Sequence, residues 1–204
     1  MRKYLKAEEL KALLGAPKRP RDKLFLKLLY ETGMRVGELV ALTIGDVDLE
    51  AGEITIQRAK RHKEGRIVPI VDEWTIMMLY EYIGQRKVGP VFLSNFKTGL
   101  TRRQVERLMA NYSMQVGIPK ELRHPHVLRH THAVDSLNFG IDLRTLRDNL
   151  GHSTLRTTQI YLESSTDLKE REEKYRTLFG HAPEPEKPIP NPKGTYDISF
   201  LTSL

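Results

Sequence analysis

The chain contains no cysteine among its 204 residues. This absence excludes disulfide bonds, thiolate metal sites and cysteine nucleophiles together. A sequence without cysteine needs no oxidising compartment. We therefore expect a cytoplasmic protein.

Long apolar runs are also missing. No stretch approaches the roughly 20 apolar residues that a membrane-spanning helix requires. The N-terminal segment Met1–Lys6 leads directly into a charged, helix-like pattern rather than a secretory signal. We expect no partnership with a membrane.

Clusters of carboxylates are the third feature that the sequence lacks. Its acidic residues are dispersed and mostly interleaved with basic ones. Most nucleases hold Mg²⁺ with grouped Asp and Glu side chains, and this chain offers no convincing group of that kind. We expect neither a metal nor a cofactor.

Positive charge is in excess, with 33 Lys and Arg against 26 Asp and Glu and a formal net charge of +7. Such a surface favours a polyanionic partner. Charge alone would fit DNA, RNA or an anionic membrane.

The hydrophobic pattern alternates between helical and strand periods along the chain. It predicts helices at about 7–14, 20–32, 36–42, 72–85, 101–116, 126–139 and 142–149, then one carrying Tyr161 and one over 167–178. Two strands are predicted around Ile54–Ile56 and Ile67–Ile70, with a brief third at Val91–Phe92. Residues 58–66 between the first two strands form a hairpin tip with five cations.

The composition changes after Gly180. Five of the 11 prolines lie between 183 and 192, which indicates an extended linker. We expect one domain over residues 1–180, followed by a Pro-rich linker and tail at 181–204 whose end is apolar enough to dock on another surface.

One set of residues suits phosphodiester cleavage without a metal. That reaction needs a nucleophile, cations that neutralise the non-bridging oxygens, and a proton for the leaving oxygen. Tyr161 can attack, if nearby cations or a histidine base help to remove its proton. Arg35 and Arg129 can clamp the phosphate through bidentate guanidinium contacts.

The remaining candidates supply protons and hydrogen bonds. Lys60, in the hairpin tip, can protonate the leaving 5′-oxygen, and Lys63 could take that role if the register differs by one turn. His126 is a candidate acid or base, and His152 a donor to a phosphate oxygen.

The order and spacing of these residues resemble the tyrosine recombinase (phage integrase) family over about residues 5–165. The resemblance is carried by Thr32–Leu39 (Thr-Gly-Met-Arg-Val-Gly-Glu-Leu), by Val68-Pro69 after the hairpin, by His126–Thr131 (His-Val-Leu-Arg-His-Thr), and by Leu150-Gly-His152 followed by Tyr161.

The resemblance implies an active site of Arg35, Lys60, His126, Arg129, His152 and Tyr161. It also implies an α+β catalytic domain, mainly α with a small antiparallel β-sheet. Members of the family are site-specific recombinases that cut and rejoin double-stranded DNA through a 3′-phosphotyrosyl intermediate. They work as tetramers on DNA, through a Holliday junction, and their C-terminal segment commonly packs on a neighbour.

Three features depart from the family pattern. Val127 stands where the family often has aspartate, and His132 where it often has an aromatic residue. Only about six residues precede the catalytic pattern, whereas most members begin with a DNA-clamping domain. The chain is then either an excised catalytic fragment or a reduced protein that grips DNA differently.

Simpler interpretations stand beside these. Arg35 could be a surface ion-pair partner of Glu38 or Glu31. His126 and His130 have the spacing of a zinc pair but lack the glutamate that zinc hydrolases place after the first histidine.

The other histidines and the basic helix also have plain interpretations. We expect His130 to be buried and hydrogen-bonded, and His124 and His132 to be peripheral. The stripe at 101–116 should pack in the core, while its arginines face the major groove. The alternative functions are a non-catalytic DNA-binding accessory protein on the same scaffold and a metal-dependent nuclease.

Overall fold

The computed structural model describes residues 2–57, 65–151 and residue 158. Within these ranges it contains helices α1 (Ala7–Gly15), α2 (Pro20–Thr32), α3 (Val36–Ala41), α4 (Glu73–Ile83), α5 (Arg102–Gln115), α6 (His126–Asn138) and α7 (Leu143–Leu150), and strands β1 (Val47–Asp48), β2 (Glu53–Ile56) and β3 (Arg66–Pro69). The predicted mainly helical fold with a small antiparallel sheet is confirmed.

Helix α2 is the centre of the core. Every residue from Leu24 to Met34 is buried, and the helix packs against α1, α3, α4 and α6. Burial of this much apolar surface is the main force that holds the helices together. The position of α2 also fixes Gly33, which ends the helix in a left-handed conformation with φ of 59°.

Side-chain caps fix where three of the other helices begin. Asp142 accepts hydrogen bonds from the backbone N–H groups of Arg144 and Thr145 at 2.9 and 3.1 Å. Thr101 caps α5 and Asp72 caps α4 in the same way. Such caps satisfy the N–H groups that a first turn leaves unpaired.

The sheet has the order β1–β2–β3, with both pairs antiparallel. The third strand is therefore Val47–Asp48, and the prediction of a strand at Val91–Phe92 was wrong. Val91 and Phe92 lie between two isolated bridges, Thr43 with Pro90 and Leu93 with Gly99, and belong to no strand. Both are buried, and Phe92 packs on the rings of Phe25 and Tyr82.

Several predicted features lie outside the described residues. They are residues 58–64 of the predicted hairpin tip, the helix carrying Tyr161, the helix at 167–178 and the Pro-rich tail. The domain boundary near residue 180 stays a prediction.

Candidate active site

The structure describes three of the six candidate residues, namely Arg35, His126 and Arg129. Lys60, His152 and Tyr161 lie outside the described residues, as does Lys63. Arg35 directly precedes α3, and the other two lie in the first turn of α6.

Arg129 is buried, with 4% of its surface exposed. Its Nη1 donates to the carbonyl oxygen of Gly33 at 2.6 Å, and its Nη2 donates to that of Leu150 at 2.7 Å. These oxygens lie at the C-terminal ends of α2 and α7, where the helix dipole is negative. The two helix ends therefore hold the guanidinium in a fixed plane and stabilise its charge.

Arg35 is the more accessible of the two arginines, since 43% of its side chain is exposed. Its Nη1 donates to Glu38 Oε1 at 3.1 Å, and its backbone N–H donates to Glu38 Oε2 at 2.8 Å. The structure thus confirms the prediction that Arg35 forms an ion pair with Glu38. The predicted alternative partner, Glu31, is buried and lies beside Lys27 instead.

His126 lies among positive charges. Partial burial of the ring lowers the pKa of His126, and positively charged neighbours lower it further, in the order Arg129, His124, Arg102 and Arg35. A histidine with a lowered pKa is neutral at physiological pH and can accept a proton. Both Arg35 and Arg129 act on this ring in the same direction, which agrees with a site that holds all three candidates.

His132 is not peripheral, and the prediction that it would be was wrong. Its residue is 7% exposed, and a Cβ added to Gly33 would lie 2.6 Å from His132 Cδ2. Burial lowers the pKa of His132 to about 4. The signal was present in the sequence, because His132 lies four residues after Leu128 on the buried face of α6.

Arg66 was also misjudged from the sequence, where it counted among the hairpin-tip cations. It is the first residue of β3, and 10% of its side chain is exposed. Its Nη1 and Nη2 donate to the two carboxylate oxygens of Glu38 at 3.0 and 2.7 Å, and its Nε donates to the carbonyl oxygen of Asn149 at 2.8 Å.

Glu38 therefore lies between two arginines. Burial alone would raise the pKa of its carboxyl group, but the hydrogen bonds and charge of Arg66, and then those of Arg35, hold it below its usual value. Glu38 is ionised at neutral pH.

His130 is half-buried, and burial followed by the charges of neighbouring cations lowers its pKa to about 4. Within residues 2–57 and 65–151, no three His, Asp or Glu side chains are grouped closely enough to share a metal ion. The expectation of a metal-free reaction stays a prediction.

The family model for the phage integrase family matches residues 3–167. The chain belongs to that family. Its curated relatives include tyrosine recombinase XerD of Yersinia pestis, 38% identical over 178 residues, which are 81% of this chain and 58% of that protein. Tyrosine recombinase XerA of Saccharolobus solfataricus is 40% identical over 159 residues, 78% of this chain and 51% of the relative. The chain thus spans little more than half the length of these family members.

Solved structures of family members share the fold. The crystal structure of XerA recombinase superposes with a TM-score of 0.71 at 32% identity, over 90% of this chain and 64% of that one. A post-cleavage complex of XerH recombinase with palindromic difH substrate gives a TM-score of 0.69 at 25% identity, over 85% and 52%. A lambda integrase tetramer bound to a Holliday junction gives 0.63 at 20% identity, over 78% and 47%, and supports the fold alone.

The described part of the chain includes no helix that is both long and apolar enough to cross a membrane.

Proposed function

We propose that this chain is the catalytic part of a site-specific DNA recombinase that cleaves and rejoins strands through a covalent 3′-phosphotyrosyl intermediate. The observation that carries the proposal is the way the structure holds the two arginines that would clamp the phosphate. Arg129 is buried and held by two backbone carbonyl oxygens, the side chain of Arg35 is 43% exposed, and the charges of both lower the pKa of His126. The named relatives are recombinases.

In the proposed reaction, the Tyr161 hydroxyl attacks the scissile phosphorus while the bond from phosphorus to the 5′-oxygen breaks. Lys60 gives its proton to that oxygen, which leaves as a 5′-hydroxyl. Because the phosphotyrosyl bond conserves the energy of the broken bond, a different 5′-hydroxyl can reverse the step and join a new strand.

The arginines and histidines stabilise this reaction. Arg35 and Arg129 neutralise the charge on the non-bridging oxygens, and preorganised charge is commonly the largest contribution to phosphoryl transfer. His126, kept neutral by its surroundings, accepts the proton of the attacking hydroxyl, and His152 donates a hydrogen bond to the phosphate.

The proposed partner is double-stranded DNA, in a tetramer assembled on it. The difH complex of XerH supports the choice of DNA, and the net charge of +7 agrees with it. We place the protein in the cytoplasm, with residues 1–180 as the catalytic domain and 181–204 as a linker and tail that pack on a neighbouring protomer.

Tyr161→Phe should abolish covalent attachment to DNA and leave DNA binding largely intact, because the variant loses only the attacking oxygen. The measurement is a denaturing gel after incubation with nicked duplexes of randomised sequence, in the presence of EDTA. A nick beside the scissile phosphate lets the short cut strand leave, so the adduct accumulates.

The control for this experiment is Tyr80→Phe, since Tyr80 is 69% exposed on α4. Adduct that persists in Tyr161→Phe would remove the nucleophile from the proposal. Binding without adduct in the unmodified protein would favour the accessory-protein alternative, and cleavage that EDTA stops would favour a metal-dependent nuclease.

Lys60→Ala should lose cleavage of ordinary DNA but cleave a substrate whose bridging 5′-oxygen is replaced by sulfur, because a thiolate leaves without a proton. Cleavage rates of both substrates are compared for Lys60→Ala and Lys63→Ala. Rescue of Lys63→Ala alone would assign the general acid to Lys63.

A further inference from the structure

Two arginines join the same two segments of the molecule. Arg129 connects the carbonyl oxygen of Gly33 to that of Leu150. Arg66 connects Glu38 to the carbonyl oxygen of Asn149. Two guanidinium groups therefore hold segment 33–38 to the C-terminal end of α7. Only that of Arg129 belongs to the proposed catalytic set.

The end of α7 is shaped to receive Arg66. Gly151 follows the helix with φ of 65°, and a Cβ there would lie 2.9 Å from Arg66 Nη1 and 3.3 Å from its Cδ. The side chain of Arg66 thus packs directly on the backbone that leads into the candidate His152.

Glu38 is fully occupied by its neighbours. Its carboxylate accepts two hydrogen bonds from Arg66, one from the side chain of Arg35 and one from the backbone N–H of Arg35. A carboxylate offers about four acceptor positions, so all of them are used. Arg35 consequently makes one side-chain contact to Glu38 rather than a bidentate pair.

We propose that Arg66 is a positioning residue that keeps Arg35 available to the DNA phosphate by occupying Glu38. Without Arg66, each oxygen of Glu38 regains one acceptor position, and the side chain of Arg35 would move into a bidentate pair, which is stronger and more directional than a single contact. The guanidinium would then turn away from the phosphate. This inference rests on the proposed function, because it deepens the role given there to Arg35.

The first test needs no DNA. Arg66→Met keeps the aliphatic packing on Gly151 and removes the guanidinium group with its two hydrogen bonds to Glu38. NMR measures the rotation of the Arg35 guanidinium, which should slow in Arg66→Met as the bidentate pair forms, and quicken in Glu38→Gln. Arg147→Met is the matched control, since Arg147 pairs with Asp148 at the surface of α7 and should leave the rotation unchanged.

Arg66→Lys keeps the test decisive if Arg66→Met fails to fold. A lysine ammonium cannot donate two parallel hydrogen bonds to a carboxylate, so it would use only part of the acceptor capacity of Glu38. The rotation rate of the Arg35 guanidinium in Arg66→Lys should therefore lie between the rates in the unmodified protein and in Arg66→Met. Rotation in Arg66→Lys equal to that of the unmodified protein would overturn the proposal.

The second test follows adduct formation at saturating DNA. Arg66→Met should slow it by roughly ten- to a hundredfold, the size expected from displacing one catalytic group, with little change in Kd. Adding Glu38→Gln should restore part of the rate, because a neutral amide no longer captures Arg35 and still accepts the Arg35 backbone N–H.

The outcomes separate the two proposals. A double variant no faster than Arg66→Met would overturn the positioning role and leave only a structural one. Absence of adduct in every protein, including the unmodified one, would sink the proposed function, while the NMR comparison would still decide whether Arg66 controls Arg35.

Discussion

Gly33 connects α2 to the first arginine of the site under tight steric limits. Its φ of 59° is a conformation that residues other than glycine adopt at a cost in free energy. The side chains of His132 and Leu150 also occupy the space that a Cβ at this position would need. Its carbonyl oxygen also receives Arg129. The residue therefore satisfies a backbone, a packing and a hydrogen-bonding requirement at once.

Gly33→Ala should lower the free energy of unfolding by about 2–4 kcal/mol, from the left-handed conformation and from a Cβ only 2.6 Å from His132 Cδ2. Urea denaturation measures the loss. The matched control is Gly37→Ala, where no atom lies within 4 Å of the new Cβ and a helical alanine should stabilise by about 0.5–1 kcal/mol. Equal effects of both changes would contradict the steric argument.

At the residue scale, the sequence predicted side chains better than it predicted their partners. The motif spacing singled out Arg35 and Arg129, but nothing local indicated that Arg129 would contact carbonyl groups 96 and 21 residues away. Arg66 was assigned to the hairpin tip for the same reason. Its partner Glu38 is 28 residues distant, and such pairings depend on the folded core.

At the level of elements, the contact between α2 and α5 depends on one buried carboxylate. Asp22 is fully buried, accepts a hydrogen bond from Arg21 Nε at 2.7 Å and accepts another from the Tyr112 hydroxyl at 2.8 Å. Burial, and then Asp22, raise the pKa of Tyr112 to about 12, so the hydroxyl keeps its proton at physiological pH. This hydrogen bond joins the basic helix α5 to α2.

Tyr112→Phe should destabilise the protein by about 1.5–3 kcal/mol, because a buried carboxylate loses a donor. Hydrogen exchange should also quicken in the α5 amides more than in those of α1. Tyr80→Phe, at an exposed site on α4, should change neither. Uniform faster exchange over the whole chain would show that the contact supports overall stability rather than α5 in particular.

Helices α1 to α7 were predicted within one or two residues of their bounds, because their signals are local. The α5 stripe illustrates this, since Val105 and Met109 are buried as its period requires. Strand β1 was missed because two residues, Val47 and Asp48, carry no period of their own. They are strand only because β2 pairs with them.

On the scale of the whole molecule, a buried charge cluster links α2 to α4. Lys27 pairs with Asp72, lies 3.8 Å from Glu31 Oε1, and its Nζ is 4.2 Å from the centroid of the Trp74 ring. Burial raises the pKa of Glu31 to about 8, against the opposing influence of Lys27 and Thr75. Because the cluster lies in the core, its protonation is coupled to unfolding of the whole chain.

Glu31→Gln should gain stability relative to the unmodified protein as pH rises from about 4.5 to about 8. The folded state holds the Glu31 proton up to the higher value and the unfolded state releases it at the lower one. Rising pH therefore lowers the free energy of unfolding of the unmodified protein, by at most about 1.4 kcal/mol per pH unit.

Urea denaturation of both proteins at several pH values measures this difference. Glu50→Gln, at an exposed position, is the control and should show a constant difference. A constant difference for Glu31→Gln as well would mean that Glu31 titrates alike in the folded and unfolded states.

The pairing of β2 with β3 fixes the position of Arg66 in the fold. Ile54 pairs with Val68 and Ile56 with Arg66, and both isoleucines and Val68 are buried. A slip of one residue would bring Ile67 inward and turn Val68 outward, so burial of these side chains fixes the register. Insertions or deletions between Ile56 and Arg66 can therefore change the length of the connecting segment while Arg66 stays opposite Ile56, so the contacts of Arg66 with Glu38 and Asn149 do not depend on that length.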